Sequence, residues 1–190
     1  MALHIVKKGL DLPITGTPAQ VIESGAVSRR VALLAGDYPG LKPTLLVQSG
    51  DHVRRGQALF EDKRTPGVRF TAPGAGTVVA IHRGERRALQ SVVIEVTPGR
   101  TEQATFQSYG GGNLASYDRA GTQALLAESG LWTAFRTRPF SHIPQLDTVP
   151  FAIFVTAMDT NPLAVNPDVV AANRQADMAG PDAREGVAQI

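Results

Sequence analysis

A chain of 190 residues with 43% hydrophobic content is long enough for one or two domains with buried cores. It contains no cysteine, which excludes an iron–sulfur cluster, a thiolate zinc site, a catalytic thiol and a disulfide framework. The net charge is +2, and eight of the 19 Lys and Arg residues fall in the short pairs Lys7-Lys8, Arg29-Arg30, Arg54-Arg55 and Arg86-Arg87. No basic and aromatic stripe of the nucleic-acid-binding kind accompanies them, and weak attraction to anionic lipid or to a partner protein stays open.

In chain order, residues 1–30 form an N-terminal segment with no long apolar run, so neither a signal peptide nor a membrane span is expected there. The longest apolar stretches, such as Phe151–Ala157, are strand-sized and far below the roughly 20 residues of a spanning helix. A soluble chain, cytoplasmic in location, is the expectation.

Residues 31–97 are dense in short β-type runs separated by glycine and proline, without a 3.6-residue period, and predict a small all-β unit. A weak repeat lies inside it. Gly50-Asp51 precedes Gln57-Ala58-Leu59-Phe60-Glu61, and Gly84-Glu85 precedes Gln90-Ser91-Val92-Val93-Ile94-Glu95, which points to a pseudo-symmetric β sandwich. Residues 98–116 are polar and rich in glycine, with Gly110-Gly111-Gly112, and read as a linker.

Residues 117–190 predict the beginning of an α/β domain. Asp118 can cap a helix carrying Leu125 and Leu126 that Gly130 terminates, and a second helical turn over Leu131–Thr137 must stop before Pro139. The run Phe151–Ala157 has the pattern of a strand buried on both faces of a parallel sheet, and Pro167 or Asp168 can start the next helix. One strand is not a domain, so the α/β part is expected to be incomplete, a fragment of a longer protein or a part that docks on another chain.

The string from Val47 to Lys63, followed by Thr71-Ala72-Pro73-Gly74-Ala75-Gly76-Thr77-Val78, resembles the lipoyl and biotinyl carriers, which implies a barrel-sandwich hybrid fold. The glycines suit the tight turns of such a fold. By that resemblance, Lys63 after Asp62 would carry a swinging prosthetic arm. Two features oppose this: Lys63 stands only six residues after Gln57, and Arg64, Pro66 and Gly67 extend the turn beyond the carrier pattern. A scaffold fold with a solvated lysine is the favoured expectation.

The segments Glu128–Phe140 and Ala152–Pro162 resemble the flavin-binding region shared by the NADH-oxidising subunit of complex I and the C subunit of the Rnf complex. In those relatives the loop is rich in glycine, which lets backbone amides approach a flavin phosphate. Here Trp132, Phe135, Arg136 and Arg138 fill it, no glycine remains after Gly130, and the acidic run is reduced to Asp159. A mononucleotide should not fit. This substitution pattern resembles the A subunit of the bacterial Na+-translocating NADH:quinone reductase, which implies a Rossmann-like, flavin-site-degenerate domain. The strings Lys7–Ile14, Val31–Leu34, Phe60–Lys63 and Leu89–Val96 also resemble that family.

The resemblance implies a peripheral subunit on the cytoplasmic side of the bacterial inner membrane, with no redox cofactor of its own, in a complex that uses NADH, flavins, iron–sulfur centres and ubiquinone. The expected partners are the other subunits of that complex and ubiquinone. It further implies quinone contacts over Leu34–Pro43 and Leu131–His142. A quinone head needs an apolar or aromatic slot and one or two donors, and Leu34, Tyr38, Trp132, Phe135 and Phe140 could form walls while Lys42, Arg136, Arg138 and His142 donate. Equally, Trp132 and Phe135 could simply pack into the core with the arginines paired at the surface.

His4, His52, His82 and His142 lack a metal-ligand spacing, and Ser91, Ser129 and Ser141 lack a nucleophile-elbow context, so no catalytic residue is assigned. Two alternative readings remain, a carrier modified on Lys63 and a flavoprotein fragment like the Rnf C subunit.

Overall fold

The computed structural model describes residues 14–99, 102–111, 116–155, 161–166 and 168–169. Two compact units divide the chain, Ala26–Val149 and the remainder, and each is taken by itself.

The larger unit is a two-sheet β sandwich followed by a helix. Its strands are β1 (Arg30–Leu34), β2 (Pro43–Leu45), β3 (His52–Val53), β4 (Ala58–Asp62), β5 (Arg69–Thr71), β6 (Gly76–Arg83) and β7 (Leu89–Val96). One sheet runs in the order β1-β7-β6-β3 and the other β2-β4-β5, with every strand pair antiparallel. The two halves of the sequence repeat become β4 and β7, each an interior strand of its own sheet. The β sandwich expected from the sequence is present, with sheets of four and three strands.

Between the sheets lie Val53, Leu59, Phe60, Val68, Phe70, Val78, Val92 and Ile94, all fully buried. Strict alternation would turn either Leu59 or Phe60 outward, yet both are inside. A register shift between Ala58 and Phe60 explains this, because a bulge inserts one extra residue and re-aims its side chain. Phe60 then pairs across the ladder with Phe70, the two rings stacked at 4.7 Å. Burial of each large aromatic side chain makes truncation to alanine cost about 3–5 kcal/mol.

Helix α1 (Arg119–Ser129) starts where Asp118 accepts a hydrogen bond from Gly121 N at 2.7 Å and ends at Gly130, whose φ of 83° is left-handed. Both caps agree with the sequence. The helical turn expected over Leu131–Thr137 is shorter, a 3-10 turn at Leu131–Ala134, because Phe135 is already extended. The segment expected as a linker is tied at several points: Arg55 N donates to Glu102 O, Ala104 N donates to Arg55 O, and the Gln107 and Ser108 amides donate to the Glu128 carboxylate. Gly112, at the end of the glycine run, lies outside the described residues.

In the smaller unit, the expectation of a doubly buried strand at Phe151–Ala157 is not met over Phe151–Val155. These residues are not in a strand, and Phe151, Phe154 and Val155 are exposed. The reason is that a strand needs a ladder partner, and no strand is present among the described residues of this unit. Thr156, Ala157 and Asp159 lie outside the described residues, as do residues 1–13 with Lys7–Leu12. Farther on, Asp168 N donates to Asn166 Oδ1 at 2.9 Å and Asp168 and Val169 are helical, which is consistent with a helix starting here, while Pro167 lies outside the described residues.

Candidate functional site

Two loops emerge from different parts of the sandwich. The first joins β1 to β2 and begins with a 3-10 turn at Ala35–Asp37. The second follows Gly130 and continues to Leu146, where Trp132, Ile143 and Leu146 pack against the core cluster. The fold brings them together.

Tyr38 is the hinge of the contact. Its ring stands edge-on to Phe70 at 4.8 Å, so it is anchored on the core, and the Arg136 guanidinium carbon lies 5.2 Å from its centroid. Arg136 also donates to Asp37 O at 3.4 Å, to Phe135 O at 3.3 Å and to Thr133 O. This cation therefore crosses from one loop to the other. Nearby, an added Cβ at Gly40 would come within 3.2 Å of His142 Cε1, so the two loops also touch at that point. Gly40 has a φ of 79°, a conformation that suits glycine.

The remaining candidates fall into two groups. Trp132 meets Phe135 edge-on at 5.1 Å and donates its indole N–H to Pro144 O at 2.9 Å, which makes it a half-buried strut. Phe140 is 73% exposed and stands edge-on to His142 at 6.3 Å; the His142 carbonyl accepts from Thr137 N. Arg138 is exposed. Lys42 is exposed as well, while its backbone N–H donates to Asp62 Oδ1 at 2.9 Å. Leu34, half exposed, ends β1 opposite Ser91 of β7.

A cleft of about 310 Å³ opens beside this contact, lined by Ala35, Gly36, Tyr38, Pro39, Gly40, Leu41, Pro43, Ala88 and Leu89. Of the nine candidate residues only Tyr38 lines it. Ala88 and Leu89 were missed in the sequence, since only the β1–β7 pairing carries them beside the first loop. A more open concavity of about 550 Å³ lies between Gln107–Gly111 and Ser116–Asp118, and no candidate residue lines it.

The geometry also bears on Lys63. Asp62, which precedes it, is buried, and its Oδ1 accepts from both Lys42 N and Arg64 N, so its carboxylate organises the backbone of the turn. The second loop then covers that turn: Gln145 donates to Arg64 O, and Leu146 lies within 3.1 Å of where a Cβ on Gly67 would sit. A carrier needs its lysine turn protruding and free. This one is clasped from the side, although Lys63 itself is exposed.

Two family models match the chain. The N-terminal barrel-sandwich hybrid domain of NqrA matches residues 4–97, and the second alpha/beta domain of NqrA matches residues 117–183. The chain belongs to the NqrA family. Its relatives in that family are named as the A subunit of the Na(+)-translocating NADH-quinone reductase. The protein of Actinobacillus pleuropneumoniae serotype 5b is 57% identical over 172 residues, 90% of this chain and 38% of the relative. That of Saccharophagus degradans is 55% identical over 174 residues, 92% of this chain and 38% of the relative. That of Vibrio parahaemolyticus is 53% identical over 178 residues, 93% of this chain and 40% of the relative. The chain thus spans 38–40% of the length of these relatives.

The NqrA match states the fold class of both parts, a barrel-sandwich hybrid followed by an α/β domain. The seven strands and α1 are consistent with it, and the strand content of the α/β part is not represented among the described residues. No helix among the described residues is long and apolar enough to cross a membrane.

Proposed function

We propose that this chain is the front part of the A subunit of a Na+-translocating NADH:ubiquinone reductase, and that it contributes the surface on which that protein meets the quinone. In this reading residues 31–97 form the barrel-sandwich module, 98–116 the connection and 117–190 the opening of the α/β domain. The protein is peripheral, on the cytoplasmic side of the bacterial inner membrane, and its partners are the other subunits of the complex and ubiquinone. NADH, flavins and iron–sulfur centres belong to those other subunits. This chain contributes no redox group.

The observation that carries the reading is the Arg136–Tyr38 contact, because it joins the two segments expected to hold a quinone beside an apolar cleft. An aromatic and aliphatic slot with a cation at its edge suits a flat, apolar ring bearing two carbonyl acceptors. The 3-10 turn at Leu131–Ala134 supports the absence of a flavin site in the same way, since Trp132 and Phe135 stand where a phosphate-cradling loop requires bare backbone.

Trp132 is the sole tryptophan, so its fluorescence reports on this region without added label. Titration of this 190-residue chain with a water-soluble ubiquinone analogue should change that fluorescence saturably, and Arg136→Ala with Tyr38→Leu should weaken the response several-fold. A fluorescence unchanged at saturating quinone overturns the reading, and so does a flavin absorbance that co-purifies in stoichiometric amount.

A further inference from the structure

The hairpin formed by β6 and β7 ends in a turn that the quinone reading leaves unused. Arg83, Arg86 and Arg87 lie within five positions of the sequence, with His82 beside them and Glu85 the one acidic residue. All five side chains are exposed. Among the described residues the ion pairs Arg30–Glu95 and Arg69–Glu128 and the His52–Glu102 contact lie elsewhere, and none of them neutralises this turn.

The backbone here is held in an unusual shape. Arg86 and Arg87 have φ of 53° and 62°, a left-handed conformation that arginine rarely adopts, and the Arg83 guanidinium donates to Arg87 O at 3.0 Å across the turn. Two consecutive arginines at such angles are locally unfavourable, and asparagine or glycine would suit the positions better. The turn therefore displays charge at positions where folding alone would select other residues.

What adjoins the turn narrows the partner. Ala88 and Leu89, directly after Arg87, line the apolar cleft, and half-exposed Leu34 stands opposite Ser91 on the neighbouring strand. A cationic turn bordered by exposed Ala88 and half-exposed Leu34, with Leu89 buried in the core beneath, matches the boundary between phospholipid headgroups and acyl chains, where guanidinium groups bind phosphate and apolar side chains enter below it.

We infer that the β6–β7 turn is a docking surface for an anionic phospholipid bilayer and that it turns the cleft toward the membrane. The test is flotation of this chain with quinone-free vesicles, one set of phosphatidylcholine alone and one equimolar in phosphatidylglycerol and phosphatidylcholine. Because no quinone is present, failure here leaves the quinone reading untouched, and the reverse also holds.

Binding is expected to the phosphatidylglycerol vesicles alone and to disappear as salt is raised. Each arginine near an anionic surface contributes about fivefold in affinity, so R83Q/R86N/R87N should weaken binding on the order of a hundredfold. Asparagine preserves the left-handed backbone, and R86N alone, with about a fivefold loss, serves if the triple variant melts lower than the parent. The control is R54Q/R55Q: these residues follow β3, which pairs with the other end of β6, and their loss should leave binding unchanged. The inference is overturned by equal binding to both vesicle types, by no binding at low salt, or by equal losses in the turn variants and the control. Capture by the membrane subunits without any vesicle binding also overturns it and assigns the turn to a protein partner.

Discussion

Arg136 lies over the ring of Tyr38, 5.2 Å from its centroid, and bridges two loops that are far apart in the sequence. Tyr38 is in turn fixed edge-on to Phe70, so the guanidinium rests on the core through one aromatic intermediary. A double-mutant cycle with Arg136→Ala and Tyr38→Leu, read by chemical denaturation, should give a coupling energy of about 0.5–1 kcal/mol, the range for an exposed cation–π pair. Strict additivity of the two changes would mean that the loops are held together by other contacts.

Glu128 ties α1 to the segment before it and to β5. Its carboxylate accepts from Ser108 N at 2.8 Å and Gln107 N at 3.1 Å and pairs with Arg69 at 3.5 Å. The Ser108 amide above all, with the Gln107 amide and Arg69, holds its carboxyl below the ordinary carboxylate value, against the opposing effect of partial burial. Because the folded-state pKa is depressed, the stabilisation is present above the unfolded value and is lost as pH falls through the folded one. Glu128→Gln should therefore cost about 1.5 kcal/mol near neutral pH, with the difference from the parent closing under acid conditions. A difference that stays constant down to strongly acidic pH would remove the ionised carboxylate from the account.

Gly130 ends α1 with φ of 83°, and a Cβ there would come 2.6 Å from Thr71 Oγ1 and 3.0 Å from Arg69 O. Thr71 Oγ1 is already committed, donating to Ser129 O at 2.9 Å. Gly130→Ala should lower stability by about 1–2 kcal/mol, from backbone strain together with the clash against β5. A melting temperature equal to that of the parent would show that α1 docks less tightly than these distances require.

Lys63 should be chemically unmodified. Co-expressed with lipoyl and biotinyl ligases, the chain should keep the mass of its sequence, and Lys63→Ala should change stability by less than about 0.5 kcal/mol. A lipoyl or biotinyl increment localised to Lys63 would restore the carrier reading, despite the clasp of Gln145 and Leu146 over its turn.

The parts of the fold legible in the sequence are those whose physics is local. Asp118 caps α1 through an amide three residues on, and Gly130 stops it with its own backbone angle, so both ends could be read from neighbouring residues. The glycine-punctuated apolar runs likewise foretold the β sandwich, since each strand carries its own pattern. The convergence of Leu34–Pro43 with Leu131–His142 came from family resemblance, not from local pattern, and needed the fold to acquire a geometry.

Tertiary structure alone decided the rest. That Ala88 and Leu89 wall the cleft follows from the pairing of β7 with β1, and that Glu128 holds Gln107 and Ser108 follows from where α1 packs. The Phe151–Val155 run shows the same dependence in reverse, for its apolar pattern is that of a buried strand while no ladder partner for it lies among the described residues. Periodicity and capping are properties of adjacent residues and are written in the chain, whereas a cleft or a buried strand exists only when distant segments come to lie against each other.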